Sequence, residues 1–182
     1  MISNFTHSSD FLFFNAQKKR STLVGFVLAF IVLNSSFLTA QTQTVIFNTA
    51  GDGSWTVPPY VTSVTVEAWG GGGAGGGTGT NNARGGGGGA GGTYVSSIFA
   101  VTPGQNLSYF VGAGATGATT NGGTGGSSWF LNNTTLFAQG GAGGTAPNGG
   151  TVTGGQGSIT TSIGTIRLGG LNGGNGTSAT SR

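Results

Sequence analysis

Glycine is not spread evenly through this chain of 182 residues: its 41 glycines gather into runs, and the runs alternate with short, well-patterned apolar segments. The stretch SWTVPPYVTSVTVEAW, ending at Trp69, passes directly into GGGGAGGG over residues 70–77. Further glycine-dominated stretches cover 85–92, 112–126, 140–157 and 169–176. An ordered glycine loses more backbone entropy than any other residue, so such a composition taken alone reads as floppy, low-complexity chain. Regular alternation with strand-like segments argues for architecture instead. Glycine-rich chain can adopt an extended helix with three residues per turn and no internal hydrogen bonds. Packed side by side, such helices satisfy their backbone groups between neighbours, and without Cβ atoms they approach closely enough for Cα–H to carbonyl contacts.

The segments between the runs carry strand patterning. Val64, Val66 and Ala68 point one way while Thr65, Glu67 and Trp69 point the other, the period-2 alternation of a strand with unlike faces. TVIFN at 44–48 and SWTV at 54–57 flank AGDG at 50–53, which reads as strand, glycine turn, strand, with Asp52 a turn residue. Pro58 and Pro59 end the second of these, since proline cannot donate to a ladder. TYVSSIFAV at 93–101 and LSYFV at 107–111 are joined by TPGQ at 102–105, a type II turn signature, and read as a hairpin. SSWFLNNTTLFA at 127–138 reads as a second hairpin turning at Asn132 and Asn133, and SITTSIGTIRL at 158–168 as a weaker one. Helical periodicity is absent after the first forty residues. The expected fold is all-β, with the glycine segments able to bundle as extended helices.

Residues 1–40 differ in kind. A lead-in ending in Lys18, Lys19 and Arg20 precedes an apolar stretch at 23–33, polar Asn34 to Ser36, and FLTA at 37–40. That order reads as a hydrophobic leader helix of the signal-peptide type, cleaved after Ala40. The alternative is an uncleaved membrane anchor over 23–40, short of the ~20 apolar residues of a full span. The expected organisation is thus a leader at 1–40 and one domain at 41–182, exported to the cell surface or secreted, with any membrane contact made through the leader.

Without the leader, Arg84, Arg167 and Arg182 stand against Asp52 and Glu67, a formal charge of 3 − 2 = +1. No cluster of Lys or Arg remains to hold nucleic acid. With no cysteine, stability has to come from packing and backbone pairing rather than disulfides. GAGATG at 112–117 matches a dinucleotide-binding fingerprint in letters only, because no helix follows and no acidic residue occurs after Glu67. A phosphate-cradling P-loop is excluded by the lack of lysine beyond the leader. In GGTGGSSWF at 122–130, Ser127 stands where a calcium-liganding Asp is required. Serine or threonine catalysis lacks a His, Lys or Cys to supply a base. The residues point to no cofactor, no metal and no enzyme. The one remaining catalytic option is a glycosidase pair formed by Asp52 and Glu67, which would need the carboxylates ~5–9 Å apart in one cleft.

The aromatics are expected mostly in the core, there being few other large side chains to bury. Two are candidate ligand contacts: Trp69, which shares its face with Glu67, and Trp129, just after a glycine run. An exposed aromatic beside Asn and Thr suits a sugar ring or a partner protein.

These features together resemble the glycine-rich domain of bacterial surface and secreted proteins, many from Bacteroidetes-type bacteria, and are similar to domains of phage tail-tip adhesins. The likeness rests on SWTVPPYVTSVTVEAWGGGGAGGG, GGTYVSSIFAVTPGQNLSYFVGAGATG, NGGTGGSSWF and AQGGAGG, and runs from about Val45 to the C-terminus. The resemblance implies a β-sandwich-like framework carrying bundled polyglycine II helices, with binding or structural roles, no established catalytic residues and no single ligand. TGTNNAR, ending at Arg84, leads into GGGGGAGG, whereas NGTSATSR ends the chain at Arg182; that contrast reads as a truncated C-terminus. The leading expectation is an exported, non-enzymatic surface or matrix protein acting in adhesion or assembly, its partner a surface glycan or cell-envelope protein. The alternative is a carbohydrate-binding module that uses exposed aromatics.

Overall fold

A computed structural model describes residues 42–79, 85–147 and 151–176; the expected leader, Arg84 and Arg182 lie outside the described residues. The chain divides into two compact units at Val45 and Ile46, and the described structure belongs almost wholly to the second. It is all-β and built of two antiparallel sheets, in keeping with the sequence. The strands are β1 (Gly51–Thr56), β2 (Ser63–Trp69), β3 (Tyr94–Ala100), β4 (Asn106–Val111), β5 (Ser128–Phe130), β6 (Leu136–Ala138) and β7 (Ile166–Leu168). One sheet runs β1-β4-β5-β6 and the other β2-β3-β7. Among the described residues no helix is long and apolar enough to cross a membrane.

Most strand segments were legible, although residues 44–48, expected as a strand, form none; several of the pairings were not legible. The tight turn at 102–105 does not close a hairpin, because β3 belongs to one sheet and β4 to the other. The turn itself forms, with the Gln105 N–H donating to the Thr102 carbonyl at 3.0 Å and Gly104 at φ 81°. It carries the chain across the core, so that Phe99 of β3 meets Phe130 of β5, ring centroids 5.2 Å apart. Val57, Val95, Leu107, Phe130, Leu136 and Ala138 fill the space between the two inner faces. Burying these apolar faces outweighs the preference of neighbouring strands to pair.

Two further expectations are corrected. AGDG is not a turn: Asp52 and Gly53 lie within β1, opposite Phe110 and Tyr109 of β4. The Tyr109 ring lies over Gly53, where any Cβ would collide with it, and stacks on Phe47, ring centroids 4.2 Å apart. An aromatic ring covering a glycine backbone stabilises a strand that glycine by itself would weaken. The segment 158–168 is not a hairpin either. Ile163 pairs with Phe137 of β6 while β7 pairs with β3, so its two ends join different sheets. The turn at Asn132 does form, its side-chain oxygen accepting from the N–H of Thr134 at 2.9 Å.

The glycine segments leave both sheets from one end. Trp69 pairs with Tyr94 and Tyr94 with Leu168, so residues 70, 93 and 169 emerge side by side. In the other sheet Ser128 pairs with Ala138, which sets residues 127 and 139 at the same end. Beyond that end the segments bond to one another at every third residue. Gly70, Gly73 and Gly76 donate to Thr93, Ala90 and Gly87 at 2.8–2.9 Å. The next phase of the same segment, Gly71, Ala74 and Gly77, donates to Gly126, Gly123 and Thr120 at 2.7–3.0 Å. Gly141 and Gly144 in turn donate to the carbonyls of Gly71 and Ala74. A β-strand presents its edges with period two; here the step is three.

Side-chain hydroxyls fasten the change from one pattern to the other. Ser128, Thr93 and Ser162 are buried, and all three bond backbone at the junction. Thr93 Oγ1 donates to the Ser158 carbonyl at 2.7 Å, and Ser162 Oγ accepts from the Gln139 N–H at 3.1 Å. Where a ladder ends, its backbone groups lose their partners, and a buried hydroxyl restores them.

Candidate functional site

With the inner faces committed to the core, ligand-contacting side chains must come from the outer faces, the loops or the glycine segments. Both outer faces carry an aromatic row, built by strand register. On the three-stranded sheet Trp69, Tyr94 and Leu168 lie in one row, with Glu67, Ser96 and Ile166 in the next and Thr65 and Ile98 beyond. Trp69 is 60% exposed and Leu168 equally so, while Ile98 reaches 72%. The Trp69 and Tyr94 rings are tilted, their centroids 5.1 Å apart. The Tyr94 hydroxyl donates to Glu67 Oε1 at 2.7 Å. That bond, helped by partial desolvation and the Glu67 charge, lifts the Tyr94 phenol above its ordinary range, with Ser96 pulling the other way.

On the four-stranded sheet the register aligns Asp52, Phe110, Trp129, Phe137 and Ile163 across the outer face. Trp129 is half-buried there and lies parallel to Phe110, centroids 6.0 Å apart and planes at 13°. Trp69 and Trp129 are therefore not brought together, for each belongs to the outer face of its own sheet with the core between them. The same holds for Asp52 and Glu67, so the two carboxylates do not share a cleft as a glycosidase pair would require. Among the described residues no group of three His, Cys, Asp or Glu side chains is placed to hold a metal.

The expectation that most aromatics are core needs amending at Tyr94, Phe110 and Phe137, which point outward. Parity was the available signal. Once Val95 and Phe99 are assigned inward, Tyr94 and Ile98 must face out, and Leu107 and Tyr109 likewise send Phe110 outward. The alignment of rows across strands had no local signal, since it depends on which strands pair.

No curated protein matches the chain. Residues 48–182 match the glycine-rich domain family, a span that takes in both sheets and every glycine segment, and the chain belongs to that family.

Proposed function

We propose that the chain is an exported, non-enzymatic surface or extracellular-matrix protein in which a small β-sandwich carries a bundle of polyglycine II helices, a rigid element for adhesion or assembly. The observation that carries this reading is the three-residue step of the bonds between glycine segments, made in successive phases to different neighbours. A helix with three residues per turn presents each phase to a different side, which is what a laterally bonded bundle uses. Steric demand supports it as well: a Cβ at Gly73, Gly141 or Gly144 would overlap the backbone of an adjacent segment. Close packing of this kind yields stiffness without side chains, useful to a protein that must hold a binding surface away from its attachment. The bacterial setting and the likeness to tail-tip adhesins remain with this reading.

The test is surface display of the full chain, with fractionation to locate it and adhesion to glycan-coated and protein-coated surfaces as the readout. Gly141→Val, which forces a branched side chain into the bundle, should abolish adhesion while exported chain is still detected. Retained adhesion by that variant, or no export of the native chain, would overturn the proposal.

A second reading is favoured by one observation, the exposed Trp69 beside Tyr94 and its bond to Glu67. An aromatic plane flanked by a fixed carboxylate is suited to stacking and hydrogen bonding a sugar ring, which makes a carbohydrate-binding role the alternative.

A further inference from the structure

The end of the sheets opposite the glycine segments holds two neighbouring turns of one type, alike in the proline at the second position and unlike in the residue that takes positive φ at the third. In the first, Thr102 to Gln105, proline occupies the second position and Gly104 the third, at φ 81°. In the second, the Val61 N–H donates to the Pro58 carbonyl at 3.3 Å, Pro59 occupies the second position, and the third is Tyr60, at φ 69°. The third position of a type II turn needs positive φ, which glycine meets without strain and tyrosine does not. The two turns are tied to each other, Gly104 donating to the Val57 carbonyl and Val57 to that of Gln105, both at 2.9 Å.

Packing does not account for the tyrosine. Leu131, the other described non-glycine residue at positive φ, packs its side chain against the core. Tyr60 is 96% exposed, more than any other large apolar or aromatic residue among the described residues. A chain that places glycine so freely elsewhere holds a strained, solvent-facing aromatic where glycine would fit better. Strain retained without a folding benefit points to a use of the side chain.

We infer that Tyr60 is the anchor of a second binding site, at the tip opposite the glycine segments, and that its ligand is an uncharged carbohydrate. The turns at this end, residues 57–62, 101–106 and 131–135, contain no charged side chain but carry Thr62, Thr102 and Asn133 as hydrogen-bonding groups, with the amide NH2 groups of Gln105 and Asn132, whose oxygens accept within their own turns. A rigid ring among neutral amides and hydroxyls matches a neutral sugar, which presents an apolar face for stacking and hydroxyls around its rim. The two prolines hold the turn in place before any ligand arrives, so little ordering remains to be done on binding. This site shares no residue with the rows containing Trp69 and Trp129.

The experiment uses the full chain and its Tyr60→Gly variant on an array of neutral oligosaccharides of glucose, galactose, mannose and N-acetylglucosamine, with anionic-lipid vesicles as a separate arm. Native chain is expected to bind at least one neutral sugar, and Tyr60→Gly to lose at least tenfold in affinity. Its thermal midpoint should stay equal or rise, because glycine accepts the turn without strain, and Tyr60→Trp should restore most of the binding. Failure of the native chain to bind any neutral sugar, binding to vesicles alone, or unchanged affinity in Tyr60→Gly would overturn the inference. So would a lowered thermal midpoint in that variant, which would make Tyr60 a structural residue.

Discussion

The hydroxyl of Ser128 donates to the carbonyl of Trp69 at 2.6 Å and accepts from the N–H of Gly112 at 3.0 Å. One buried side chain thereby joins the last residue of β2, the first of β5 and the first glycine after β4. Trp69 is where side-chain packing gives way to backbone packing along the chain, and Ser128 is placed where that change leaves polar groups without ladder partners. Ser128→Ala should therefore cost about 1 kcal/mol, since it removes the shared partner of a half-buried donor and a half-buried acceptor. Urea denaturation of the variant gives the figure, and a cost within error of zero would mean that water replaces the hydroxyl.

Two glycines of one segment make opposite predictions. A Cβ at Gly73 would overlap the backbone of Ala142 and Gly141, whereas at Gly75 it would make ordinary contact with the Gly87 carbonyl oxygen at 3.4 Å and Gly88 Cα at 4.0 Å. Gly73→Ala should destabilise by about 1–3 kcal/mol, the range for overpacking. Gly75→Ala should be neutral or stabilise by up to about 1 kcal/mol through the entropy of the unfolded chain. Thermal melts of both variants check this, and equal melting temperatures would show that the segment is not packed as described.

Hydrogen exchange offers an independent check on the same bundle. The amides of Gly73, Ala90, Gly141 and Gly144 donate to neighbouring segments, while those of Gly72 and Gly75 have no partner among the described residues. Protection in this three-residue rhythm is expected. Uniformly fast exchange across 70–77 would instead indicate disorder.

The Tyr94 phenol is raised above the usual tyrosine value of about 10 mainly by its bond to Glu67. Because the folded value lies above the unfolded one, any stabilisation from this bond is fully present below pH ~10 and is lost as pH rises through the folded value. Glu67→Gln should move one tyrosine back toward ordinary ionisation in an alkaline absorbance titration. Superimposable native and variant curves would count against the bond.

Trp69→Ala is the cleaner test of glycan binding on the outer faces. Trp69 is largely exposed, so its loss should cost little beyond its tilted contact with Tyr94, at most about 0.5–1.5 kcal/mol. Trp129→Ala also breaks the stack on Phe110 and should cost about 0.5–1.5 kcal/mol beyond lost burial. Loss of glycan retention in affinity electrophoresis by a folded Trp69→Ala supports the carbohydrate reading; unchanged retention removes Trp69 from it.

Local sequence determined the strands with unlike faces, the type II turn at 102–105 and the glycine segments, because period-2 alternation and proline–glycine chemistry act over a few residues. That Val66 and Ala68, which pack against the core, share one face followed from the same alternation. Partnership was decided only by the tertiary structure. β3 and β4 are joined by five residues yet lie in different sheets, whereas β2 and β3 are separated by a long glycine excursion and pair along their whole length. The reason is that the excursion folds back on itself through the Gly70–Thr93, Gly73–Ala90 and Gly76–Gly87 bonds, returning the chain beside β2. Those bonds are made by backbone alone, which is the same at every glycine. Sequence could reserve the room for them, and only the assembled neighbours could say which glycine meets which.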